Sequence, residues 1–379
     1  MIKNFKTSTI SGAKLKEARL SRGYSTAVLA NIFGISAQAI NKYERNVCQP
    51  GIEIFAKYIT FLGFPREFFY DTPENNNTNA TQILFRTQKT ANDLDKDKLI
   101  VRSKWFQRIY DVVENYIDFP EVLIKQIGFQ EYYDKNEIET LAIKARELLN
   151  VPNGPISNLT TIIENSGGII VRMPVNVKKT DACSQWYNDR PLFFLTSDKM
   201  CAVRSRFDLA HELGHFFLHH LDETDIISKT DYNRMEKEAD RFAGAFLLPA
   251  NEFSKDIFST SIQSFIHLKK RWKVSIGAMI YRCKDLNLLS ESQIAYLWRQ
   301  LAAKGYRTRE PLDDTMIPEE PFILKSAIEM LDNEYILSPL QLNSIINLPI
   351  NEISAICNID PNKFNKNIPN KRIALKFIK

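Results

Sequence analysis

Apolar and polar positions change their period several times along the chain, and each change marks a boundary. Between residues 11 and 70 short helical patterns are broken at Gly23, Gly34, Pro50–Gly51 and Gly63. Residues 71–80 read Asp-Thr-Pro-Glu-Asn-Asn-Asn-Thr-Asn-Ala. They have almost nothing to bury, so 71–81 is expected to be a linker. Helical periodicity resumes over about 94–150, for example at Ile138, Leu141, Ala142, Ala145 and Leu148. From 162 to 196 the character changes: Gly167–Gly168 is followed by the runs IIVRMPV, DACSQWY and PLFFLT. These predict short strands with turns between them. Helical patterns return at 207–221, 234–248, 261–272, 276–286 and 291–304. The stretch 310–321 holds Pro311, Pro318, Pro321 and five acidic residues, and reads as a second connector. A last helical region, about 322–379, ends in six Lys/Arg from Lys363 onward, read as a solvated end.

The expected fold is therefore α+β and mostly α-helical. An all-α bundle at 11–70 precedes a domain at 82–305 with a small β-sheet, and the helical region 322–379 has no evident role. No internal repeat is visible.

Composition adds limits. With 379 residues, 44% hydrophobic and 25% charged, the chain is an ordinary globular one, long enough for two or three domains. It has no signal-like N-terminal stretch and no run near the roughly 20 apolar residues of a membrane span. Five scattered cysteines without a CxxC pair suit a reducing compartment, so a cytoplasmic protein with no membrane partner is expected. Charge is uneven. Residues 1–70 hold ten Lys/Arg and four Asp/Glu, a net +6 against +5 for the whole chain, which leaves −1 for the rest. A basic front end on a near-neutral body points to a polyanion.

In that front end, the runs 12–19, 23–30, 33–36 and 40–44 read as helix–helix–turn–helix. Gly34 supplies the turn and Ser36 the cap of the next helix. There Ile40 and Tyr43 face inward. Gln38, Asn41, Lys42 and Arg45 fall at i, i+3, i+4 and i+7 on the other side. Their amides can pair with adenine and their cations suit guanine or phosphate, so with Ser36 they form the expected DNA-binding face. Residues 11–70 resemble an XRE-family (Cro/CI-type) helix-turn-helix. The resemblance implies double-stranded operator DNA as partner, with a homodimer possible, and assigns Arg19 and Glu44 to an internal salt bridge. Thr26 stands where the family commonly has a phosphate-contacting glutamine.

Four of the five histidines lie between 211 and 220. His211-Glu-Leu-Gly-His215 is an HExxH sequence. Histidines four apart on a helix share a face and can reach one zinc ion, while Glu212 beside them can take a proton from an activated water. His219 is two turns from His211, a rise of about 12 Å, too far for the same ion. The third ligand is therefore sought on the helix of residues 235–249. Glu236 and Asp240 flank its inward face. Glu236 is favoured over Glu238, which points away, and Asp240 suits the free N–H of a ligating histidine. His219 and His220 are read as surface or packing residues.

RxRFxLAHELGH followed by ExEADRFAxxxLLP resembles the ImmA/IrrE family of zinc metallopeptidases over about 82–305. That resemblance implies one Zn2+ per chain in a gluzincin-like site of His211, Glu212, His215 and Glu236. It also implies a narrowly chosen protein substrate, a repressor. The family often has Asn at the position of Asp240. The combined expectation is a DNA-binding regulator with a zinc endopeptidase. Two alternatives remain: a non-catalytic metal-binding transcription factor, and a self-processing toxin–antitoxin component cut near 71–90. The strand residues around 182–186 are expected to pair with an extended substrate.

Overall fold

The computed structural model describes residues 9–70, 84–85, 93–174, 182–197, 201–219 and 227–365. The expected linker at 71–81, His220 and the lysine-rich end past 365 lie outside them.

The head is built from α1 (Gly12–Ser21), α2 (Thr26–Phe33), α3 (Ala37–Glu44) and α4 (Ile52–Leu62). Ser25 and Ser36 cap α2 and α3 by accepting from Val28 N and Ala39 N. Gly34 closes α2 at φ 71°, the left-handed conformation that a glycine adopts without a Cβ clash. Gly12 is required for a different reason. A Cβ there would lie 2.4 Å from the Tyr43 carbonyl oxygen, so α1 could not meet the end of α3. The buried Arg19–Glu44 pair, 2.6 Å apart, joins the same two helices.

The body adds β1 (Leu84–Phe85), α5 (Asp93–Glu114), α6 (Lys135–Leu148), α7 (Leu159–Asn165), β2 (Ile169–Met173), β3 (Ala182–Tyr187) and β4 (Arg190–Thr196). It continues with α8 (Ala202–Leu218), α9 (Lys229–Leu247), α10 (Ala250–Lys255), α11 (Ile262–Trp272), α12 (Ile276–Asp285) and α13 (Glu291–Ala303). The helical period expected over about 94–150 is interrupted. Residues 115–134, which include Pro120 and Gly128, are non-helical for most of their length. The N–H groups of Ile127 and Gly128 both reach the Phe217 carbonyl at 3.0 Å, near the end of α8. Those N–H groups thus serve an orphan helix carbonyl, which a continuous helix could not do.

The sheet order is β1-β3-β4-β2. β3 and β4 are antiparallel and joined by Asn188–Asp189, both at positive φ (47° and 60°), as a two-residue hairpin turn with the sheet's twist requires. β2 runs parallel to β4, Ile169 opposite Leu192. Ile170, Ala182, Phe193 and Leu195 pack on the α8 side, and Ile169, Val171, Cys183, Leu192 and Phe194 on the other. Both faces are covered, which explains why the strands read as nearly continuous apolar runs. The outer edge of β3, expected to be open to substrate, is paired: Leu84 and Phe85 oppose Ser184 and Cys183.

The far face is covered by α5 and by the C-terminal helices α14 (Ile323–Asn333), α15 (Pro339–Ile346) and α16 (Ile350–Cys357). One apolar cluster runs from the head through α5 to this face and these helices. Polar ties follow the same route. Trp105 Nε1 donates to Glu17 at 2.6 Å, and Glu352 takes both Arg22 and Arg102. The head is thus packed on the body despite the sequence break at 71–81. The acidic connector is also anchored, because Glu319 accepts from Leu159 N and Thr160 N while pairing with Arg206. Among the described residues no helix is long and apolar enough to cross a membrane.

Candidate metal centre

α8 buries Leu209, Ala210, Leu213, Phe216 and Phe217 in the body core. That placement leaves His211 and His215, at 0% and 3% exposure, on the face turned toward α9. Gly214 lets α9 come close. A Cβ at that position would meet the Phe242 ring at 3.0 Å and the Ala239 Cα at 3.3 Å. The narrow spacing brings Glu236 over the histidines.

The two Nε2 atoms are 3.1 Å apart, and Glu236 lies 3.7 Å from that of His211 and 3.4 Å from that of His215. Zinc bonds of about 2.0–2.1 Å in a tetrahedral shell place ligand atoms roughly 3.3 Å from one another. The observed spacing meets that requirement. His211 Nδ1 is 2.8 Å from Asp240 Oδ1. Donation from that nitrogen leaves Nε2 as the atom turned to the centre. Two imidazoles and a carboxylate converging on one point form a donor set for a borderline divalent cation. Glu238 is excluded from this group by position, although it is not directed to solvent. It is buried and sits 3.0 Å from His219 Nε2.

Charge follows the geometry. Burial lowers His211, but the bonds to Asp240 and Glu236 outweigh it and hold the imidazole up to about 9. Burial also raises Glu236, yet the two histidines bring its carboxyl well below the usual range. Glu212 is pushed up by burial, opposed by His215, His211 and the Ser184 hydroxyl. His219 is driven down to about 4 by burial and is neutral near pH 7. A cation in the centre would replace protons as the counter-charge for these carboxylates.

Sequence reasoning missed one residue beside the centre, Ser184, and misplaced two others, His219 and Glu238. Ser184 Oγ donates to Glu212 Oε2 at 2.5 Å. Its signal was present, since 182, 184 and 186 alternate toward α8. His219 Nδ1 lies 3.0 Å from His215 Nδ1, and Glu238 lies beyond it. The i+4 spacing from His215 to His219 was visible, but His219 was read as a surface or packing residue. A cavity of about 1370 Å³ adjoins the centre at Asp240 and Glu238, and extends past Arg204 and Phe207 to Tyr281 and Trp298.

In the head, Ser36, Gln38, Asn41, Lys42 and Arg45 are all exposed, whereas Ile40 is buried and Tyr43 half-buried. The α3 face is therefore free of the body, with Ser36 also spent as a cap.

Fold and centre together define a helix-turn-helix protein with a metallopeptidase-like body. Comparison with known proteins agrees. Residues 15–69 match the helix-turn-helix family model, and residues 164–284 match that of peptidase family M78, the IrrE N-terminal-like domain. The head is thus of the XRE type and the central body of the ImmA/IrrE type, as their motifs implied. A protein of Methanocaldococcus jannaschii named as an HTH-type transcriptional regulatory protein is 27% identical over 154 residues, 38% of this chain and 46% of that protein. An SPbeta prophage-derived uncharacterized HTH-type transcriptional regulator of Bacillus subtilis is 35% identical over 57 residues, 15% of this chain and 53% of that protein. The chain spans about half the length of these curated relatives.

Proposed function

We propose that this chain is a DNA-binding regulator whose body is a zinc-dependent endopeptidase acting on a repressor protein. The observation that carries the reading is the convergence of His211 Nε2, His215 Nε2 and the Glu236 carboxylate beside a buried Glu212. His211, His215 and Glu236 would hold the ion. Zinc, when bound, supplies Lewis acidity, which polarises a carbonyl and makes water a nucleophile near neutral pH. Glu212 takes the proton of the attacking water and passes it to the leaving amine. Ser184 fixes the Glu212 carboxylate, and burial keeps its basicity above that of an exposed glutamate. Asp240 sets the tautomer of His211.

The exposed α3 face is assigned to operator DNA, which places the peptidase where a repressor would be bound. The relatives named as transcriptional regulators support that placement.

Zinc per chain is the first test, measured on wild type, His215→Ala and Glu236→Ala. About one ion in wild type and sharp loss in both variants supports the centre. Retention in Glu236→Ala removes Glu236 from the ligand set. Given a zinc-loaded wild type, repressor cleavage that survives in Glu212→Gln would overturn the catalytic assignment and leave a metal-binding regulator.

A further inference from the structure

His219 ends α8, and its backbone N–H still bonds the His215 carbonyl at 3.0 Å. The last turn therefore holds the side chain above His215, on the side away from the convergence point. His219 Nδ1 is 3.0 Å from His215 Nδ1, and His219 Nε2 is 3.0 Å from Glu238 Oε2. The side chains of His219 and Glu238 are 6% and 8% exposed, so neither contact competes with bulk water. Tyr133 N lies 3.5 Å from the other oxygen of Glu238, and Tyr133 Oη donates to the Leu218 carbonyl at 3.1 Å. The row is thus anchored at both ends.

One proton arrangement satisfies both contacts of the His215–His219–Glu238 row. If His215 presents a bare Nε2 to the centre, its proton sits on Nδ1 and is donated to His219 Nδ1. His219 then carries its own proton on Nε2 and donates it to Glu238. With His219 donating to Glu238, the reverse assignment takes the proton off His215 Nδ1 and aims two acceptor nitrogens at each other across 3.0 Å.

We infer that His219 and Glu238 are positioning residues that lock His215 in its metal-binding tautomer. Neither touches the ion or the substrate. The inference rests on the metal-centre reading for its purpose, but its proton arrangement is a property of the chain alone. His211 receives the same service from Asp240 by a single bond, while His215 receives it through an intervening imidazole. Outer partners of this kind set metal affinity by roughly 10–100-fold.

The test uses the full chain labelled with 15N at histidine. In metal-free wild type, His215 is expected as the Nδ1–H tautomer by NMR. His219→Leu and Glu238→Leu should mix its tautomers and speed zinc release to a chelator by roughly tenfold or more. Glu238→Gln, which keeps an acceptor for His219, should stay within about threefold of wild type on the same scale. Thermal unfolding of each variant checks that the fold is kept. An unchanged His215 tautomer in folded His219→Leu overturns the inference. So does a Glu238→Gln variant as impaired as Glu238→Leu, because packing alone would then account for both. A wild type that binds no zinc but shows the Nδ1–H tautomer lost in His219→Leu sinks the metal reading and leaves the lock in place.

Discussion

Ser184 donates its hydroxyl to Glu212 across 2.5 Å, so that strand β3 and the histidine-bearing helix α8 share one buried carboxylate. The bond is local in space but spans 28 residues of sequence. Removing it leaves the buried Glu212 carboxylate short of a hydrogen-bond donor. Ser184→Ala should therefore lower unfolding free energy by about 1–3 kcal/mol in denaturant melts. Zinc content should not change, because no ligand atom is involved. Glu212→Gln should behave differently. Its amide oxygen still accepts from Ser184, and a desolvated carboxylate is gone, so stability should hold or rise while peptidase activity disappears. A Ser184→Ala protein as stable as wild type would show that the contact does not hold Glu212.

Glu164 provides a pH signature. It is fully buried at the end of α7 and accepts from the N–H groups of Phe322 and Ile323 at the start of α14. Burial nevertheless raises its carboxyl from 4.5 to about 7, outweighing those two bonds. The folded value lies above the unfolded one. The stabilisation is then full below about pH 4.5 and is lost as pH rises through about 7. That loss amounts to a term on the order of 3 kcal/mol across the window. Glu164→Gln keeps the acceptor oxygen and should flatten this part of the stability–pH curve. Melts of both proteins between about pH 5 and 8 decide the matter, and parallel curves would exclude Glu164 as the source.

Gly214, inside HELGH, sets the distance between α8 and α9. Valine there would drive methyl groups into the Phe242 ring and the Ala239 backbone, which already lie 3.0–3.3 Å from where a Cβ would be. The expected cost is about 1–3 kcal/mol. Because Glu236 rides on α9, zinc affinity should fall along with stability. Gly244 faces open space on the same helix, so Gly244→Ala should leave zinc affinity intact. Equal zinc binding in Gly214→Val and wild type would mean that the spacing is not what positions Glu236.

The local features of this chain were legible because they depend on neighbours in sequence. Ser36 and Gly34 announce the turn of the head, short apolar runs between turn residues announce β2, β3 and β4, and HELGH announces the histidine pair. What was hidden depends on contacts between distant segments. Nothing in residues 322–357 says that their helices cover the second face of the sheet. Nothing near Glu352 reveals that it takes Arg22 from the head and Arg102 from α5. Extending the helical period of α5 into that of α6 hid the non-helical residues 115–134. Their partner, the Phe217 carbonyl, lies far along the sequence and leaves no local signal. His219, too far from His211 to share its ion, was read as a surface or packing residue, although its spacing from His215 suits a partner to that ligand.

The exposed face of α3 yields the last prediction. Lys42 and Arg45 project from the helix into solvent and carry two positive charges of the basic head. Each DNA phosphate that a cation no longer neutralises should reduce the slope of log K against log salt by about 0.9. A Lys42→Ala, Arg45→Ala double variant should therefore bind duplex DNA more weakly and with a shallower salt dependence, by up to about two units of slope. Ile40, by contrast, is a core residue of the same helix, so Ile40→Ala should act through stability, by about 2–5 kcal/mol. Binding titrations at several salt concentrations separate the two mechanisms. If the double variant, with an unchanged melt, keeps the wild-type slope and affinity, α3 is not the DNA-facing helix. The head would then serve as a protein-binding module anchored to the body through Glu17 and Arg22.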